Sequence, residues 1–188
     1  MMKKLAITAL LLAFNVVVAA VPVAGEVIEF TPQNGFSGDS EGHGSLKLLF
    51  GKARLFQVDS RGTQQADGTF RLEQTVTFQG EPATARVWHL TTTGAHHYSA
   101  TLSDAAGPVS GTSTGPHLSL EYRIKGPLVM HQELELMQDG RTIDNIGTVT
   151  LLGIAIGHLH ETITRKSTAH MHNDASNASG STARRGPA

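Results

Sequence analysis

Residues 118–140, LSLEYRIKGPLVMHQELELMQDG, set apolar against polar side chains on both sides of a Gly126-Pro127 break. Before the break, Leu118, Leu120, Tyr122 and Ile124 alternate with Ser119, Glu121 and Arg123. After it, Leu128, Met130, Leu134 and Leu136 alternate with Val129, His131, Glu133 and Glu135, up to Asp139-Gly140. A period of two is that of a strand with one buried face, and Gly-Pro and Asp-Gly are turn punctuation. The stretch predicts two antiparallel strands joined by a tight turn.

Working outward, the same period recurs. Phe70, Leu72, Val76 and Phe78 alternate with Arg71, Glu73, Thr75 and Thr77, and turn signals stand at Asp67-Gly68, Gln79-Gly80-Glu81-Pro82 and Thr93-Gly94. No stretch of the body carries a helical repeat. Strands of this length joined by short turns form a meander, and about eight to ten of them must curl up to remove their edges. The expected fold is all-β: a single antiparallel up-and-down β-barrel over residues 26–165.

The two ends differ from this body. Lys3-Lys4, the apolar run Leu5–Val18 and the small residues Val18-Ala19-Ala20 and Val23-Ala24-Gly25 read as a signal peptide over residues 1–25. The run is too short for a spanning helix, so the processed chain is expected in the periplasm or secreted. Residues 166–188, KSTAHMHNDASNASGSTARRGPA, hold Met171 as their only large apolar side chain and read as a disordered polar tail. Residues 26–164 carry nine Lys and Arg against fifteen Asp and Glu, whereas the end from Arg165 is basic. Such a tail suits weak contact with an anionic envelope or membrane surface.

Composition narrows the function classes. With 188 residues, 39% hydrophobic and 16% charged, the chain is neither a coiled coil nor wholly disordered, and a net charge of −1 gives no footing for nucleic acid. The absence of cysteine means that the barrel must hold together without disulfides. There is no G-x-S-x-G elbow, phosphate-binding glycine loop or H-E-x-x-H pair. Gly42-His43-Gly44 and the other glycines read as bends and bulges. His158 and His160 share a strand face and make half of a metal site; Glu161 points the other way and could add a third ligand only if the strand bulged, so surface histidines are the expectation. His96 and His97 are expected on opposite faces of a strand. No metal and no cofactor are expected. Glu73, Asp104, Asp139 and Asp144 are carboxylates that nothing in linear spacing pairs, so no general acid or base is assigned.

Polar residues that interrupt the apolar faces are more informative. Gln74 falls between Leu72 and Val76, Gln132 between Met130 and Leu134, and Asn145 shares parity with Ile143, Val149 and Leu151. Amides inside a barrel need partners. Either they bond to one another in an internal network, or they orient a small ligand in a cavity. Arg86 shares a face with Trp88, the only Trp, and the pair could close the barrel floor or hold an anionic head group.

Taken in order, Phe36-x-Gly38, Gly42-x-Gly44, Arg54-x-Phe56-x-Val58, Gly68-Thr69, Leu72-x-Gln74, Gly80-Glu81, Arg86-x-Trp88 and Tyr98 resemble the bacterial exported family known as domain of unknown function 3833. Asp104-x-x-Gly107, Gly111, Gly115, Tyr122, Asp139, Asn145, Gly153 and Gly157 continue the likeness, which spans residues 30–165. The resemblance implies an exported barrel of lipocalin-like character and an association with lipid modification; it implies no catalytic residue. Two departures stand out: no cysteine follows the leader, and Gln74 occupies a position where the family often has an acid. The leading expectation is a periplasmic barrel binding a small apolar or amphipathic, lipid-like ligand through Gln74, Arg86, Trp88, Gln132 and Asn145. Its rivals are an envelope structural protein with a filled barrel and a small-barrel enzyme acting on a modified lipid.

Overall fold

A computed structural model describes residues 28–167. The expected leader, and the expected tail from residue 168 onward, lie outside the described residues. After a five-residue helix α1 (Pro32–Phe36) come β1 (Gly38–Leu48), β2 (Arg54–Gln64), β3 (Phe70–Phe78), β4 (Thr84–Gly94) and β5 (His97–Leu102). They are followed by β6 (Val109–Thr114), β7 (His117–Arg123), β8 (Leu128–Leu136), β9 (Thr142–Leu151) and β10 (Ile154–Arg165). Every strand pairs antiparallel with its sequence neighbours, and β1 pairs with both β2 and β10, so the sheet is a closed barrel. Closure leaves no edge strand to aggregate.

The quoted hairpin is β7–β8, with Leu118 opposite Leu134 and Tyr122 opposite Met130. Alternation decides its inside: Leu118, Leu120, Tyr122, Met130, Gln132, Leu134 and Leu136 are buried, and the residues that alternate with them face out. Turn signals fall between strands as expected at Asp67-Gly68, Gly80, Gly126 and Asp139-Gly140, where the glycines take positive φ. Between β4 and β5 the turn sits slightly later, at Ala95-His96, with a register shift at Gly94. His96 therefore does not flank a strand face opposite His97; it lies in the turn and pairs with Glu29 at 2.8 Å.

Three features differ from the sequence expectation. The first is α1, which periodicity cannot reveal because it is barely one turn long. Its signal is chemical: Thr31 caps it, accepting from the Asn34 amide at 3.1 Å, and Pro32 starts it with a preset φ. The helix closes one end of the barrel. Phe30, fully buried, meets Phe36 edge to face at 5.6 Å, and the Phe30 amide donates to the Gly115 carbonyl at 2.7 Å. The second is that this plug, and not the Arg86/Trp88 pair, forms the floor. Trp88 lies in the middle of β4 and so sits halfway along the barrel.

The third is that Gly42 and Gly44 are neither bends nor bulges. They pair in unbroken register with β2 and β10 and face inward. A Cβ on Gly42 would sit 2.1 Å from Glu161 Oε1, and one on Gly44 would sit 2.5 Å from Phe56 Cζ. Their missing side chains make room in the interior.

The end opposite α1 is formed by the β1–β2, β3–β4, β5–β6, β7–β8 and β9–β10 connections. The β9–β10 turn, Leu152-Gly153, takes positive φ at both positions (51° and 82°). Asparagine or glycine usually fills the first of these; a leucine there costs about 1–2 kcal/mol.

Candidate functional site: a polar belt under an apolar cavity

Inward side chains lie in three tiers. Next to α1 stand Phe36, Phe70, Leu90, Leu118, Leu136 and Ile143, all buried. Toward the other end stand Leu46, Phe56, Val58, Val76, Phe78, Leu102, Met130 and Leu159, which wall a cavity of about 210 Å³. Between these apolar tiers runs a belt of polar groups, two strings long.

The first string crosses β2, β3 and β4. The Gln74 carbonyl accepts from Trp88 Nε1 at 2.7 Å and from Arg86 Nε at 2.8 Å, while Gln74 Nε2 donates to Ser60 Oγ at 3.1 Å. The second crosses β7 to β10. Tyr122 OH donates to Gln132 Oε1 at 3.0 Å, Gln132 Nε2 to Asn145 Oδ1 at 3.1 Å, and Asn145 Nδ2 to Glu161 Oε2 at 2.9 Å. All four members of this second string are buried. Every bond in it points the same way, toward the carboxylate, because an acceptor at one end fixes which way each amide turns. Trp88 and Tyr122 join the strings edge to face, with ring centroids 5.4 Å apart.

The five residues expected at a site are therefore gathered. Gln74, Arg86 and Trp88 form the first string, and Gln132 and Asn145 the middle of the second. The amides do form a network, and part of it also faces the cavity: Arg86, Tyr122, Gln132 and Glu161 line its inner end, with Asp104 farther out. A smaller space of about 30 Å³ lies on the α1 side of the belt, bounded by Gln74, Trp88, Asn145 and Phe36. Arg86 is half-buried, its guanidinium 6.0 Å from the Trp88 ring centroid.

Glu161 was not among the expected site residues. Its signal was parity: two residues from Leu159 and from Ile163, it shares their inward face. His160 meets Asp144 on the outer wall at 2.8 Å, and among the described residues no three His, Asp or Glu are grouped to hold a metal.

Burial raises the Glu161 carboxyl above its ordinary value of 4.5, outweighing the opposing pull of the Asn145 amide, Arg86 and His43. Burial likewise pushes the Tyr122 phenol up to about 12. The belt thus presents one cation, Arg86, beside a carboxyl that favours its proton. A carboxyl with a raised folded-state pKa binds its proton more tightly when folded. Its stabilising contribution is complete below the unfolded value and is lost as pH rises through the folded one. Glu161→Gln, which keeps the shape and stays neutral, should therefore melt above the wild type at pH 7.5, by a few degrees. The gain should vanish near pH 4.5, as thermal melts at the two pH values will show. An equal difference at both would remove burial as the cause.

Among solved structures, the S-type phycobiliprotein lyase CPES of Guillardia theta is similar in fold at 10% identity, with a TM-score of 0.58 over 71% of this chain and 89% of that one. A protein of unknown function from the DUF3598 family, from Nostoc punctiforme, is similar at 12% identity and a TM-score of 0.54, covering 74% of this chain and 50% of that one. No curated protein matches. These likenesses agree with the lipocalin-like barrel. The model of one family spans residues 10–165, and the chain accordingly belongs to that family, described as protein of unknown function DUF3833.

Proposed function

We propose that this protein is an exported barrel that holds one small apolar or amphipathic molecule, with the molecule's hydrogen-bond-accepting end against Arg86 and Glu161. The observation that carries the reading is the cavity of about 210 Å³, its walls apolar apart from Asp104 and its inner end polar. Pockets that hold small molecules have this composition: a hydrophobic lining and a few convergent polar groups that fix orientation. Arg86 uses only Nε toward Gln74, leaving the terminal nitrogens of its guanidinium for an acceptor. Glu161 lines the same end and adds a donor there whenever its carboxyl holds a proton. A carboxylic or other oxygen-rich head on a short aliphatic stem meets both the head and the wall chemistry, and a longer stem would emerge at the end away from α1.

One observation favours a second reading. A buried carboxyl with a raised pKa, lining a cavity, has the first attribute of a general acid, so the barrel could act on the molecule that it holds. The barrel of a protein named a phycobiliprotein lyase is similar, and this supports the use of such an architecture around chemistry.

Native mass spectrometry of the gently purified protein tests both readings. The expected result is an additional mass of a few hundred daltons, the size of a lipid-like molecule, lost on denaturation. A bare polypeptide mass, unchanged after incubation with a total lipid extract, would overturn ligand binding and leave a filled-barrel envelope protein. A recovered molecule chemically altered from the one supplied would mark the enzyme.

A further inference from the structure

Eight large hydrophobic residues are exposed among the described residues, and six of them stand at one end: Leu48, Leu49, Phe50, Leu55, Leu152 and Ile154. Phe50 is 88% and Leu152 83% exposed, which is nearly full exposure for side chains that ordinarily avoid water. They come from two connections that the barrel closure makes neighbours. β1 lies between β2 and β10, Leu48 pairs with Gly157, and the Leu49 amide donates to the Ile156 carbonyl at 2.7 Å. A contiguous exposed apolar patch marks a surface that meets another phase or partner.

Three further observations identify what it meets. The patch is continuous with the cavity, since Leu46, Phe56 and Leu159, which wall that cavity, sit in the same strand ends. The surrounding charge is basic: Lys47, Lys52, Arg54, Arg123 and Lys125 stand at this end against Glu81 and Asp104, and Arg54 already pairs with Glu81. The other described residues hold six Lys and Arg against twelve Asp and Glu, so the barrel is electrically polarised along its axis. Lastly, Leu152 occupies a left-handed backbone position, φ 51°, that asparagine or glycine would occupy more comfortably. Strain of this kind at an exposed tip has no folding rationale and points to use.

We infer that this end of the barrel docks on an anionic lipid bilayer, with Phe50 and Leu152 entering the acyl boundary and the surrounding lysines and arginines meeting the head groups. Apolar tips ringed by basic side chains bind such interfaces by combining buried area with attraction to anionic lipid. The inference does not depend on the cavity being loaded. Docking here would nevertheless set the cavity mouth against the source of an amphipathic molecule.

The test uses the full chain with Phe50→Trp as a local reporter, so that binding through either terminus is not mistaken for insertion of the tip. The vesicles are phosphatidylcholine alone or phosphatidylcholine with an equal part of phosphatidylglycerol. With the anionic vesicles the reporter's emission should shift to the blue and be quenched by bromine-labelled acyl chains; buried Trp88 contributes a constant background. Adding Leu152→Asn should weaken vesicle binding at least tenfold while leaving the melting temperature equal or higher, a pairing that general destabilisation cannot produce. Lys47→Glu with Lys52→Glu should abolish the preference for phosphatidylglycerol. An unshifted reporter, or binding indifferent to Leu152→Asn, would overturn the inference. So would a reporter shift that appears without vesicles and tracks a concentration-dependent dimer in sedimentation, which would assign the patch to a second copy of this chain.

Discussion

Gly62→Ala is expected to lower the melting temperature by about 10 °C, equivalent to about 3 kcal/mol. Gly62 lies in β2 with its Cα toward the plug, and a Cβ there would sit 1.9 Å from the Phe36 carbonyl oxygen and 2.7 Å from Phe70 Cζ. The first of these is backbone, fixed by the hydrogen bonds of α1, and cannot swing away as a side-chain tip could. The plug would have to lift, exposing Phe30 and Phe36, each of which contributes about 2–3 kcal/mol by its burial. Differential scanning calorimetry checks the shift, with Gly68→Ala as the contrast. Gly68 has φ 86° and open space around its Cβ position, so that variant reports backbone strain without collision. Equal losses at both positions would mean that the plug yields easily and that closure of this end is loose.

Much of the barrel was legible in the sequence because a period of two carries its own burial assignment. Once Leu118, Leu120 and Tyr122 are placed inside, Gln132 and Asn145 follow across the ladder from pattern alone. What was not legible has a different cause in each instance. α1 is shorter than two helical turns, so only Thr31-Pro32 announces it. Gly42 looks like a bend in a linear reading because its purpose, space for the Glu161 carboxylate, lies on a strand 119 residues later. Glu161 is masked in a linear reading by its neighbours: His158 and His160 resemble half a metal site on the outer face, whereas the carboxyl between Leu159 and Ile163 faces in. Its parity with Leu159 and Ile163 is the signal that places it inside, where a lone carboxyl must find a bonding partner.

That bonding also settles how the amides divide their roles. The three interior amides could have formed a network or oriented a ligand; the structure shows the network, and Arg86, Gln132 and Glu161 of it also line the cavity. Asn145 is held between Gln132 and Glu161, and Gln74 between Trp88, Arg86 and Ser60. With their polar atoms so engaged, these two residues orient their neighbours. The groups with bonding capacity left over are Arg86, Glu161 Oε1 and the acceptor side of Tyr122. A ligand's polar end would meet these three, and the amides hold them in place from behind. Of the residues expected to contact a ligand, Gln74, Arg86, Trp88, Gln132 and Asn145, only Arg86 keeps that role under the proposed function, joined by Glu161 and Tyr122, while the amides hold these groups in place.

Gln132→Leu should be the most damaging substitution in the belt, costing about 2–4 kcal/mol and roughly 8 °C in melting temperature. It strands two buried partners at once, the Tyr122 hydroxyl and the Asn145 carbonyl, and the orientation of the Asn145 amide toward Glu161 then loses its support. Removing one partner of a buried hydrogen bond costs more than removing both. Tyr122→Phe added to Gln132→Leu should therefore cost less than the sum of the single changes, with a coupling of at least about 1 kcal/mol in a double-mutant cycle. Additive losses would mean that the string is a set of independent contacts and that its common polarity has no consequence. The rescued double variant also separates support from recognition. It keeps a folded barrel and the apolar walls while withdrawing the phenol and loosening the carboxyl. If the cavity holds an amphipathic molecule by its polar end, the additional mass seen in native spectra should be lost from this variant although its fold is retained. Retention of the same mass would place binding in the apolar walls alone and reduce the belt to the network that keeps the barrel in register.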